Sequence, residues 1–178
     1  MIPRNFCSAL LVLLLGLSST ISLASSLSEK EQAMVAWIDA NQESAISLLA
    51  ETVNIGSGTM NHEGVRAVGR VMSNELDALG LETQWIEMPP EMNRAGHLFA
   101  RKEGTGKKLL LIGHLDTVFE SDDDFQAFTR TGNIATGPGI RDMKDGNAVI
   151  IYALKALQHI GALDDMSVTV AFTGDEEM

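Results

Sequence analysis

Four consecutive apolar residues, Leu109-Leu110-Leu111-Ile112, run straight into Gly113-His114-Leu115-Asp116-Thr117, and no other stretch constrains the fold as strongly. A half-buried strand alternates apolar with polar residues, because successive side chains point to opposite faces. A strand that is apolar at every position is expected to be covered on both faces, as in the parallel sheets of α/β domains. The remaining chain fits that architecture. Ser28-Glu29-Lys30-Glu31 reads as a capping box, and Met34, Ile38, Ala45, Ile46 and Leu49 follow at helical spacing with a break expected near Asn41. Val65, Val68, Met72, Leu76 and Leu79 mark another helix, closed by Gly80. Strands are expected at 81–88, 97–102, 108–113 and 167–172, and a helix at 148–160. Residues 116–146 read as one polar, glycine-rich loop. Strands alternating with helices predict an α/β domain with a mostly parallel sheet.

Charge narrows the function. The 178 residues carry 24 acids against 13 lysines and arginines, a net charge of −11. Nucleic-acid affinity rests on neutralising phosphates with Lys and Arg, so a nucleic-acid partner is not expected. Arg4, the apolar run Ala9–Leu17 and the small residues of Ser22-Leu23-Ala24 predict a signal peptide over 1–24, cut after Ala24. The run is shorter than the roughly 20 residues that span a bilayer, so no stable membrane association is expected after cleavage. The lone Cys7 falls in the removed segment, which leaves residues 25–178 free of cysteine. A periplasmic or secreted location is the expectation.

Three polar clusters fall where ligands gather in open α/β sheets, beyond the carboxyl ends of strands. The first is His114-Leu115-Asp116, whose alternation puts imidazole and carboxylate on a common side. The second is Arg141-Asp142-Met143-Lys144, just before a helix whose N-terminus favours a carboxylate. The third is Gly174-Asp175-Glu176-Glu177, where the adjacent glutamates are expected to project to opposite sides and serve different tasks. Each alone is commonplace in fold or solvent. Together they supply imidazole and hard oxygen donors of the kind Zn²⁺ accepts, and crowded carboxylates repel unless a cation sits between them.

These three signatures resemble, in order and spacing, those of the di-zinc hydrolases that include glutamate carboxypeptidases, aminoacylases and acetylornithine deacetylases. The stretch from Val53 to Gly64 and the helix after it resemble the secreted glutamate carboxypeptidase branch. The resemblance implies a zinc-peptidase catalytic domain and two Zn²⁺ per complete site. His114 would bind one zinc, Asp142 would bridge both and Glu177 would hold the other. Glu176 would be the general base and Asp116 would orient His114. The implied substrate is a small peptide or an N-acyl amino acid, cleaved by a carboxypeptidase that releases a C-terminal residue such as glutamate, or by an N-acyl amino acid deacylase. A non-catalytic, metal-binding secreted domain is the reading from a different class.

The family pattern continues with a further acidic ligand, a lid or dimerisation domain and a late His ligand, whereas this sequence ends at Met178. Residues 25–178 are therefore expected to be the N-terminal portion of the catalytic domain, inactive as they stand. A homodimer is expected only of a full-length form. His62, His97 and His159 match no zinc signature and are expected to be structural or on the surface.

Overall fold

The computed structural model describes residues 27–178, so the signal segment expected at 1–24 lies outside the described residues. Helix α1 (Glu29–Ala40) opens on the expected capping box, with the Glu31 carboxylate accepting from the Ser28 amide at 2.7 Å. The expected break falls at Asn41, and α2 (Gln42–Val53) continues beyond it. Helix α3 (His62–Ala78) buries Val65, Val68, Met72 and Leu76 on one face. Gly80 then takes the left-handed conformation that ends it, at φ 78°. The strands are β1 (Glu82–Ile86), β2 (His97–Lys102), β3 (Lys108–His114), β4 (Thr129–Thr131), β5 (Ile134–Thr136) and β6 (Ser167–Thr173), with α4 (Asp145–His159) before β6. Among the described residues no helix is long and apolar enough to cross a membrane.

The α/β class is as expected, but the sheet is mixed. Its order is β1-β2-β6-β3, with β1–β2 and β2–β6 antiparallel and only β3–β6 parallel. Connection length explains the difference. A parallel pair needs a crossover of a dozen or more residues, which the chain through α4 supplies between β3 and β6. The short link through Pro89-Pro90 turns β1 back on β2 instead. The long loop expected at 116–146 holds the β4–β5 hairpin, turned by Gly132 at φ 60°.

The all-apolar strand also departs from expectation. β3 lies at the sheet edge; Leu109 and Leu111 pack against the core, but Leu110 is 61% and Ile112 63% exposed. The core sits on the other face, where Leu98, Val168, Val170 and Phe172 meet α3 and α4. Lysine at Leu110 or Ile112 is expected to change unfolding free energy by no more than about 0.5 kcal/mol while reducing self-association, as read by thermal melts and sedimentation velocity. Phe172→Ala on the covered face should cost about 3–5 kcal/mol in the same melts. Equal losses at all three positions would show that the edge face is packed after all.

Candidate metal centre

Because β3 and β6 are parallel neighbours, their carboxyl ends finish side by side, with His114 in register with Thr173. His114 and Asp116 come from β3 and its extension, Glu176 and Glu177 from the turn after β6, and Asp142 from the turn before α4. All five sequence-singled residues therefore sit at one rim of the sheet.

His114 is buried and held from behind. Its Nδ1 lies 3.1 Å from the Asp116 carbonyl and 3.4 Å from Asp116 Oδ1. Leu115, between the two, points into the core. The other ring nitrogen, Nε2, faces the rim, 3.0 Å from Asp142 Oδ1 and 4.0 Å from Glu176 Oε2. Burial lowers the imidazole pKa, but the hydrogen bonds to Asp116 and Asp142 outweigh it and raise it to about 9.

Asp116 is completely buried. Its carboxylate accepts from Thr59 Oγ1 at 2.7 Å, the Glu176 amide at 3.1 Å and the Glu177 amide at 3.0 Å. Burial pushes this carboxyl up; His114, the two glutamate amides and Thr59 outweigh that and hold it at about 2.

The adjacent glutamates do not diverge as expected of extended chain. β6 ends at Thr173, and the turn beyond it directs both amides at Asp116. Both carboxylates consequently reach the same cluster, in which one ligand atom from each of His114, Glu176 and Glu177 lies within 4.8 Å of the others. Asp142 joins through its hydrogen bond to Nε2 rather than as a member of that triple. Burial first, and Asp142 second, push the Glu177 carboxyl above its ordinary range. One imidazole with three crowded carboxylates is a donor set that suits a divalent cation such as zinc.

Further polar residues brace this rim: Lys144 belongs to the second polar cluster, whereas Asn147 carries no local signal of its role. Asn147 in the first turn of α4 donates Nδ2 to the His114 carbonyl at 2.6 Å. A side chain at Gly113 would meet Asn147 Oδ1 at 2.3 Å, which is why glycine precedes His114. Lys144 is buried and donates Nζ to the Thr52 and Ile55 carbonyls at 2.8 and 3.0 Å, tying the Asp142 turn to the end of α2. Its burial pushes the amine down to about 8. His97 accepts from the Gly174 amide at 3.2 Å. His62 bonds the Asn93 carbonyl, and His159 stacks on Trp37.

The chain is similar to several known proteins. Residues 110–178 match the family model described as Peptidase family M20/M25/M40. Carboxypeptidase G2 of Pseudomonas sp. is 38% identical over 138 residues, covering 76% of this chain and 33% of that protein. A succinyl-diaminopimelate desuccinylase of Gluconacetobacter diazotrophicus is 31% identical over 138 residues, covering 75% and 35%. The chain thus spans about a third of the length of these relatives. Human carnosine dipeptidase 1 superposes with a TM-score of 0.69 at 19% identity, over 80% of this chain and 34% of that one, a likeness of fold. The family match spans His114, Asp142, Glu176 and Glu177, so over residues 110–178, the part that carries the rim, the chain is similar to peptidase family M20/M25/M40.

Proposed function

We propose that this chain carries the metal-facing rim of a zinc-dependent amide hydrolase, a carboxypeptidase that releases a C-terminal residue such as glutamate. The observation that carries the reading is the convergence of His114, Glu176 and Glu177 within 4.8 Å, with Asp142 on the imidazole. In this reading His114, Asp142 and Glu177 are the residues that would hold zinc, with Asp142 shared between the two ions. Zinc, when bound, supplies Lewis-acid polarisation of the amide carbonyl and acidifies water.

The protein's own groups then divide the work. Asp116 orients the His114 ring from behind and fixes which nitrogen faces the rim. Glu176, with its side chain 59% exposed, faces the solvent side where substrate would enter. There it takes a proton from the attacking water onto its carboxylate and returns it to the leaving amine nitrogen. Among the described residues each ion would find two protein ligands, one of them shared. A catalytic zinc usually keeps three. The 178-residue chain alone is therefore expected to bind zinc weakly and turn over no amide.

The similarity to a desuccinylase favours a second reading within the same chemistry, an N-acyl amino acid deacylase. Export to the periplasm or beyond follows in both readings from the proposed signal over 1–24. The test is hydrolysis of N-acyl glutamate and N-succinyl amino acids by the zinc-loaded chain, alone and expressed as the full reading frame of its gene. The expected result is metal-dependent release by the full frame only, falling by at least about 100-fold in Glu176→Gln. Unchanged turnover in that variant, or no hydrolysis in either form, would contradict the reading.

A further inference from the structure

We propose that Thr59 is a positioning residue of the metal centre, acting through Asp116 on the turn that carries Glu176 and Glu177. The inference rests on the metal-centre reading above and gives a role to a residue outside the three polar clusters.

The loop between α2 and α3 is not a passive link. Gly58 forms a parallel β-bridge with Thr117, just beyond β3. The Thr117 amide donates to the Ser57 carbonyl at 2.9 Å, and the Thr59 amide to the Thr117 carbonyl at 3.2 Å. Ser57 Oγ also donates to the Leu115 carbonyl at 2.9 Å. Ser57, Thr59, Asp116 and Thr117 are all buried, so these bonds are shielded from competing water. The bridge places the Thr59 hydroxyl on Asp116 Oδ2, the same oxygen that accepts the Glu177 amide.

A hydroxyl can rotate to donate, and here it has one buried acceptor. With that donor in place, Asp116 Oδ2 is fixed between Thr59 and Glu177, while Oδ1 is left for the Glu176 amide and His114. Without it, the carboxylate is free to rotate about its Cβ–Cγ bond toward His114. Both amide contacts then lengthen, and the turn bearing the two glutamates loosens. Thr59 touches none of the metal-facing atoms among the described contacts; it sets where Asp116 holds them.

Thr59→Val removes the hydroxyl and keeps the shape, and Thr59→Ser keeps the hydroxyl. In the chain without added metal, amide exchange at Glu176 and Glu177, read by NMR, should quicken by about 10-fold in the valine variant and stay near wild type in the serine variant. With Zn²⁺ added, calorimetry should show affinity lowered by about 10-fold in valine and restored in serine, as for outer partners of metal ligands. Equal exchange in all three chains overturns the proposal, as does a serine variant that behaves like valine. Thr59→Ala replaces valine if the latter does not fold, and failure of both to fold also overturns it, because a positioning contact leaves the fold intact. A wild type that binds no zinc would sink the metal-centre reading instead, while the exchange measurement still decides the role of Thr59.

Discussion

Replacing His114 with alanine is expected to weaken Zn²⁺ binding by at least about 100-fold, the upper end of what even a ligand's outer partners contribute. His114 offers the one imidazole of the cluster, and its Nε2 faces Asp142 and Glu176 while Asp116 braces the ring from behind. Without it the cluster of His114, Asp142, Glu176 and Glu177 keeps only its carboxylates, which attract divalent ions diffusely. Diffuse attraction weakens as salt shortens the screening length, whereas coordination does not. Calorimetry at about 0.15 M and about 0.5 M salt therefore separates the two. His159→Ala serves as the control, since that ring stacks on Trp37. Binding by the His114 variant equal to wild type would mean that the acidic surface alone collects the metal.

Asp116→Asn should be the most destabilising isosteric change at the rim. The buried carboxylate accepts three donors besides its contact with His114. A carboxamide turns an NH₂ toward at least one of them, leaving donor against donor and removing the charge that His114 faces. Breaking a buried charged network in this way costs about 3 kcal/mol, or a melting temperature lower by about 6–12 °C in a domain of this size. The pH profile should change with it. The carboxyl is held at about 2 in the fold, against about 3.9 in an unfolded chain. Its stabilisation of about 2–3 kcal/mol is therefore complete above about pH 5 and is lost as pH falls through about 2. The asparagine variant should lack that part of the acid limb. A variant melting within about 2 °C of wild type at neutral pH would show that the network is not holding the rim.

Much of this arrangement was legible in the sequence because it follows local rules. The capping box at Ser28, the break at Asn41, the apolar stripe of α3 and the stop at Gly80 each arise within a few residues. The placement of His114 and Asp116 followed from alternation along one strand. What was not legible depends on partners distant in the chain. The exposure of Leu110 and Ile112 is set by which strand neighbours β3 and by what covers the face, and neither is encoded in four apolar letters. The expected divergence of Glu176 and Glu177 assumed extended backbone, whereas Asp116, some sixty residues earlier, captures both amides and curls the turn. Thr59 and Asn147 look like ordinary loop and helix residues until burial removes water as their alternative partner.

The claim underlying all of these expectations is that His114, Asp142, Glu176 and Glu177 gather around a cation at one sheet rim. Anomalous scattering at the zinc edge from crystals of the chain grown with Zn²⁺ tests it most directly. The expected result is a leading peak about 2.0–2.2 Å from His114 Nε2 and from at least one carboxylate oxygen of the other three. A leading peak on the exposed run Asp122–Asp124 instead, with none beside His114, would contradict it.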